Sequence, residues 1–374
     1  MPLETEILDE PDLSAGVVED WDGLAVAAGE SFSAPGWALA WWRHAAPAGA
    51  AMRVIAVREE GRLIGVAPLW ALDGKAASSR YELLGARLAS PTGPVAAAGR
   101  ESEVAAELSR AFAAATPRPS LLQIEGVEAA GWTRRLAAAG PGRPAWVLPG
   151  QPWTLPVVAF EGLDYDGWLA GKKAKFRSQA RRLTRRLEDQ GARFALAGEP
   201  ELETALDAFE SLHGDRWEDR GGSDALVGGM RAMFTELAGD WLASGRLRIY
   251  TLNTEEEPVA IAIHVAAGGQ VDGWNSGFDG KWSKLSPAFQ LTLFAIEDAT
   301  GRRDKRLRLG AGGTEYKLRL ADAHEGVSRD LLVPRGRSYP LQRLRLAPEQ
   351  ARRSASRRLS DDAKARIRGL AHRR

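Results

Sequence analysis

Two segments of this sequence, REEGRLIGVAPLW (58–70) and NTEEEPVAIAIHV (253–265), hold the same place in the same order of patterned runs, and that repetition constrains the fold more than any other feature. In the second half, the apolar runs 247–252 and 259–265 flank an acidic turn, and a third run, 270–278, follows Gly268-Gly269. Strand-like runs joined by short turns predict an antiparallel meander. Ser286-Pro287 then opens a helix, since serine suits the N-cap and proline the first helical position. Phe289, Leu293, Ile296 and Ala299 recur at helical spacing, and a short strand is expected at 306–309. The first half follows the same plan: runs 52–57, 63–69 and 81–84, a helix over 101–115 and a strand over 121–125. Three antiparallel strands, a helix and a further strand, occurring twice, predict an internal duplication.

A stretch from Gly140-Pro141-Gly142-Arg143-Pro144 to Pro156 separates the halves. Proline lacks the ladder N–H and glycine costs order, so it reads as a linker. The expected organisation is 1–150, then 156–334, then a tail, 335–374. With 374 residues, 44% hydrophobic and 26% charged, two folded α/β domains are affordable without cross-links. There is no cysteine, which excludes disulfides, thiolate metal sites and a cysteine nucleophile. The opening MPLETEILDEPDL lacks the layout of a secretory signal. No run reaches the roughly 18 apolar residues of a membrane span. A cytoplasmic protein is expected.

The net charge of +1 conceals an asymmetry. Residues 335–374 carry thirteen Lys/Arg against Glu349, Asp361 and Asp362, a net of +10, which leaves −9 for the remainder. A second basic block lies inside the chain: Lys172, Lys173, Lys175, Arg177, Arg181, Arg182, Arg185 and Arg186. Such blocks attract polyanions, and they also suit a solvated helix face. Phe176, Ala180, Leu183 and Leu187 form a narrow apolar seam through this block, so it is expected to be a helix packed along one stripe.

Strand–strand–strand–helix–strand in tandem resembles the FemAB-like branch of the GNAT acyltransferase fold. FSAPGWALAWW (32–42) with the 58–70 segment is similar to the N-terminal half of CelD/BioF2-like GNAT proteins. KKAKFRSQARRLTRRLEDQG (172–191), FESLHGDRWEDRG (209–221) and GTEYKLRLAD (313–322) resemble that family's basic helix, Leu-His…Arg-Trp segment and closing Tyr-Lys motif. The resemblance spans about residues 30–335. It implies tandem GNAT-like domains, each a mixed, mostly antiparallel sheet flanked by helices. It also implies acyl transfer from acyl-CoA to a small-molecule amine. In FemAB-like members the donor is aminoacyl-tRNA, so tRNA stays open as a partner. A non-catalytic module that binds anions through its basic surfaces is the third reading. No DNA partner and no metal is expected.

Acyl transfer to an amine needs the donor held by its phosphates, an oxyanion stabilised and a leaving group protonated. A helix N-terminus is a natural pyrophosphate site. In the fold this chain resembles, it is where the donor binds, which points to Ser286 and Ala288, with Lys281 and Lys284 just ahead; members often carry glycine where Ala288 stands. Tyr316 and Lys317 follow a glycine-rich turn and are the candidates for protonating the leaving group and neutralising an oxyanion. His264 alternates with Ala260 and Ala262 on one strand face and is the candidate general base. A half-buried, hydrogen-bonded histidine is the ordinary alternative. Trp274 and Asn275, on the third strand, and His213 and Trp217, in the Leu-His…Arg-Trp segment, are candidates for the acceptor pocket. In the resembled family an Asp stands ahead of the Tyr-Lys motif; here Arg308 takes that place.

Overall fold

The computed structural model describes residues 2–72, 79–140, 145–218, 228–311 and 314–358, without the side chains of 215–218 and 356–358. The first half runs β1 (Glu4–Leu8), α1 (Ala15–Ala28), α2 (Pro35–Ala45), β2 (Ala50–Glu59), β3 (Arg62–Leu72), β4 (Ser79–Leu83), β5 (Val95–Ala96), α3 (Glu101–Ala114), β6 (Pro119–Val127), α4 (Trp132–Ala138) and β7 (Trp146–Leu148). The second begins β8 (Trp153–Ala159), α5 (Tyr165–Ala170), α6 (Ala174–Glu188), β9 (Arg193–Leu196), α7 (Leu202–Glu218) and α8 (Met230–Trp241). It continues through β10 (Leu247–Asn253), β11 (Pro258–Ala267), β12 (Gln270–Phe278), α9 (Pro287–Gly301), β13 (Arg306–Arg308), α10 (Glu315–Leu320) and β14 (Ala323–Val333). The tail opens with α11 (Tyr339–Arg358).

The two meanders are the hairpins β2–β3–β4 and β10–β11–β12. Glu60 and Gly61, like Gly268 and Gly269, both take positive φ, the turn geometry whose twist matches paired strands. A side chain on Gly268 would collide with the Val26 carbonyl, so that turn also lets the hairpin tip close onto α1. Each meander is followed by a helix, α3 or α9, that carries the chain to a parallel strand, giving the pairs β4–β6 and β12–β13.

The two sheets are joined rather than separate. β14 pairs with β8 on one side and with β6 on the other, so the strand order β1-β2-β3-β4-β6-β14-β8-β13-β12-β11-β10-β9 is continuous. Nothing local in 323–333 announces that its partner lies in the other half. A shared core of Trp21, Trp37, Trp41, Phe209, Phe234 and Trp274 fills the space between α1, α2, α7, α8 and the second meander. The opposite face of that meander is covered by α5, α6 and α9, with Phe176, Ala180, Leu183 and Leu187 buried as their spacing predicts. Part of the expected tail is therefore an ordered helix, α11; residues 359–374 lie outside the described ones.

Candidate active site

In each half the parallel strands pair only at their starts and then diverge into a V. In the second half β12 and β13 pair at 270–272 with 306–308. Beyond Asp272, among the described residues, β12 is paired on its β11 side alone. In the first half the pairing of β4 with β6 ends at Tyr81 and Leu122, and the chain itself occupies the opening. Thr92 donates its N–H to the Glu125 carbonyl at 2.7 Å, and the Gly93 N–H is bound by Ser33 Oγ at 3.1 Å. One V is plugged; in the other, among the described residues, no strand lies beside β12 beyond Asp272.

The helices beside the two openings differ in the same sense. α3 starts with Glu101 and Glu103 in its first turn, and Glu101 accepts from the Gly99 N–H at 3.1 Å. Carboxylates there satisfy the dipole and repel an anion. α9 has no acid in its first turn and no side-chain cap. Ser286 is its N-cap residue but takes φ 53°, because the 3-10 turn Gly280–Leu285 delivers the chain left-handed. Its N–H bonds the Ser283 carbonyl, and its hydroxyl does not cap as the sequence predicts. Ala288, half-buried, lies in this uncapped turn. Lys284 is exposed just ahead, whereas Lys281 is held by Asp279 and then Glu257, whose hydrogen bonds raise its pKa.

Tyr316, at the start of α10, is half-buried with its ring edge-on to Phe289 in the first turn of α9, 6.5 Å between centroids. Lys317 Nζ donates to the Ala311 carbonyl at 3.1 Å beside Gly310. Gly310 has φ +76°, and a Cβ there would stand 2.8 Å from the Gly273 carbonyl, so only glycine brings this loop against the opened edge of β12. The expected glycine turn continues into Gly312 and Gly313, outside the described residues.

His264 faces Tyr250, 5.1 Å away and edge-on, on the α9 side of the sheet, as its alternation with Ala260 and Ala262 predicts. Burial, then the nearby Arg248 and Lys317 cations, push its pKa down to about 3. Such an imidazole is neutral at any working pH and is a weak acceptor for an ammonium proton. Its Nδ1 is buried without a hydrogen-bond partner. Asn275 is half-buried on β12. Trp274, its neighbour, points to the other side: it is 9% exposed, packs against Phe209 and Phe234, and donates to the Leu88 carbonyl at 2.7 Å. This residue is core between the halves. His213 is likewise buried, stacked on Phe209, with Nδ1 3.1 Å from the Ser276 carbonyl. Trp217 lies on α7, and its side chain is outside the described ones.

The basic block divides by role. Lys172 is tied to Asp322 and to the Leu320 carbonyl, over the Trp168 ring. Arg177 donates to the Ala170 and Lys172 carbonyls. These two hold α5, α6 and α10 together. Lys173, Lys175, Arg181, Arg182, Arg185 and Arg186 are exposed, and Arg181 and Arg185 line a cleft of about 1010 Å³ between α5, α6, α9 and β9.

A buried ionic cluster at the base of the open V has no signature in the sequence. Arg308 Nε donates to Glu325 at 2.7 Å and Nη1 to Asp272 at 3.3 Å, with Glu30 at 3.8 Å. Asp272 also accepts from Ser31 Oγ at 2.5 Å. The unexpected arginine is thus neutralised by acids from three other parts of the chain. Burial, opposed by Arg308, pushes the Glu30 carboxyl from 4.5 up to about 7. A carboxyl raised in the folded state binds its proton there first, so its contribution to stability falls as pH rises from 4.5 to about 7. Glu30→Gln is expected to flatten the stability–pH curve across that window, measured by urea unfolding. An unchanged slope would show that Glu30 is ionised throughout.

Residues 174–318 match the family described as an acetyltransferase (GNAT) domain. Among solved structures the chain is similar to FemX, at 11% identity and TM-score 0.59, covering 87% of this chain and 96% of that one. It is also similar to the C-terminal DUF2156 domain of a putative lysylphosphatidylglycerol synthetase from Agrobacterium fabrum, at 12% identity and TM-score 0.55, over 87% and 94% of the two chains. A conserved protein of unknown function from Bacteroides thetaiotaomicron matches at 12% identity and TM-score 0.53, over 88% of this chain and 100% of that one. No curated protein matches the sequence.

Proposed function

With residues 174–318 matching the acetyltransferase (GNAT) domain family and a fold similar to that of FemX, we propose that this chain moves an acyl group from acyl-CoA to the amine of a small-molecule acceptor. The observation that carries the reading is the contrast between the halves. In the second half, among the described residues, no strand pairs with β12 beyond Asp272, beside a helix start with no acid in its first turn; in the first half Thr92 fills the place, beside a helix start that carries Glu101 and Glu103. The donor's phosphates would lie at the first turn of α9, at Ser286 and Ala288, with Lys284 and Lys281 nearby. The amides of its arm would meet the unpaired edge of β12 as an added strand would. The acceptor nitrogen attacks the thioester carbonyl; the C–N bond forms, the C–S bond breaks, and the thiolate takes a proton from Tyr316. The amine's proton passes to solvent, and solvent returns a proton to the Tyr316 phenolate. Lys317 is assigned to the oxyanion, and Asn275 to the acceptor side. His264, neutral, is assigned no proton.

The exposed arginines of α6 favour a second reading, transfer from aminoacyl-tRNA. The two donors separate on ligand and salt. A donor at roughly 100 times its Kd stabilises the folded chain by about 2.7 kcal/mol. Acyl-CoA is expected to raise the melting temperature of a 1–334 truncation, and Arg181→Ala/Arg182→Ala/Arg185→Ala to weaken turnover only modestly. Charged tRNA acting instead would lose close to one unit of log–log salt slope per phosphate contact removed. A truncated protein that ignores every acyl-CoA but uses charged tRNA would establish the second reading.

A further inference from the structure

α11 is fastened to the body on one side only. Tyr339 and Leu346 turn inward against Leu121, Leu148, Leu331 and Val333. Arg343 lies 3.9 Å over the Trp146 ring, and Arg353 donates to the Leu148 and Pro149 carbonyls. The outward face is unusual for a helix with so many arginines. Leu344 is 72% exposed and Leu341 48%. Ala347, Pro348, Ala351 and Ala355 are also exposed. At 100° per residue, positions 341, 344, 348, 351 and 355 fall on one stripe, and the exposed Arg345 and Arg352 border it. Downstream the sequence adds Lys364, Arg366, Arg368, Arg373 and Arg374.

A partner recognised by phosphates alone, such as RNA, would engage the arginines and leave both leucines in water. A bilayer interface takes both: leucines enter the boundary between headgroups and chains, and arginines meet anionic lipid phosphates. We propose that this face of α11 docks the protein on the surface of an anionic phospholipid bilayer. It lies on the membrane; among the described residues no helix is long and apolar enough to cross one. The proposal is independent of which donor the active site takes.

The test is co-sedimentation of the full chain with phosphatidylcholine vesicles, with and without phosphatidylglycerol. Binding is expected to the anionic vesicles only. Leu341→Ser/Leu344→Ser, and Leu344→Ser alone, leave the melting temperature unchanged, and the double variant lowers the vesicle partition coefficient about tenfold or more. Arg345→Gln and Arg352→Gln each lower it roughly fivefold. No binding of the full chain to anionic vesicles would overturn the proposal. So would undiminished binding by the folded leucine variants, because the interaction would then be phosphate attraction of the kind RNA also satisfies.

Discussion

Tyr316→Phe is expected to lower kcat with the true substrate pair by about a hundredfold, within the range that one positioned proton donor contributes, and to leave KM for the donor nearly unchanged. The tyrosine is half-buried at the start of α10, edge-on to Phe289, so the ring keeps its packing when the hydroxyl is removed. Urea unfolding of the variant should stay within about 1.5 kcal/mol of the parent, the net worth of a single hydrogen bond. The loss should appear in the chemical step, measured by single-turnover kinetics, and should shrink with an activated thioester whose thiol leaves without a proton. An unaltered rate would remove Tyr316 from the reaction and leave Lys317 as the remaining candidate in that motif.

Arg308→Ala is expected to cost about 3–5 kcal/mol of stability, the usual penalty for leaving a buried carboxylate, here Asp272, without its cation. Arg308 is 3% exposed, and its guanidinium is shared by Asp272 on β12, Glu325 on β14 and Glu30 ahead of the first-half helix α2. Removing it strands those acids at the point where β12 and β13 begin to diverge. Asp272, whose carboxyl burial already pushes up, would take a proton, so the deficit should narrow as pH is lowered. A loss below about 1 kcal/mol, the figure for an exposed pair, would mean the cluster is hydrated and does not clamp the halves.

The sequence carried the fold further than the site. Apolar runs and turns placed the meanders, the Ser286-Pro287 start and helical spacing placed α9, the repeated order placed α3, and spacing placed the seam of α6, because each is a local pattern. Parity along a strand put His264 on one face with Ala260 and Ala262, and the structure shows that this face is the α9 side. The same parity sends Trp274 away from Asn275, but no local feature says which face of β12 is the shared core. β14 was unreadable as a bridge, since its partner β6 lies some two hundred residues earlier in the chain. The Arg308 cluster is hidden for the same reason: Glu30, Asp272 and Glu325 meet only after both halves have packed. Arg308 marks the place as a departure from the resembled motif, yet its partners are a tertiary fact. Ser286 shows the limit of residue type as evidence, because the preceding 3-10 turn sets its backbone and cancels its cap.

The central claim is that the donor occupies the second half alone, and hydrogen exchange with bound acyl-CoA addresses it most directly. Protection is expected at 273–278, the edge of β12 with no strand beside it among the described residues, and at 286–290, the first turn of α9, with no change in 90–93 or 99–104. Protection confined to the first half, around the plugged V and the start of α3, would contradict it.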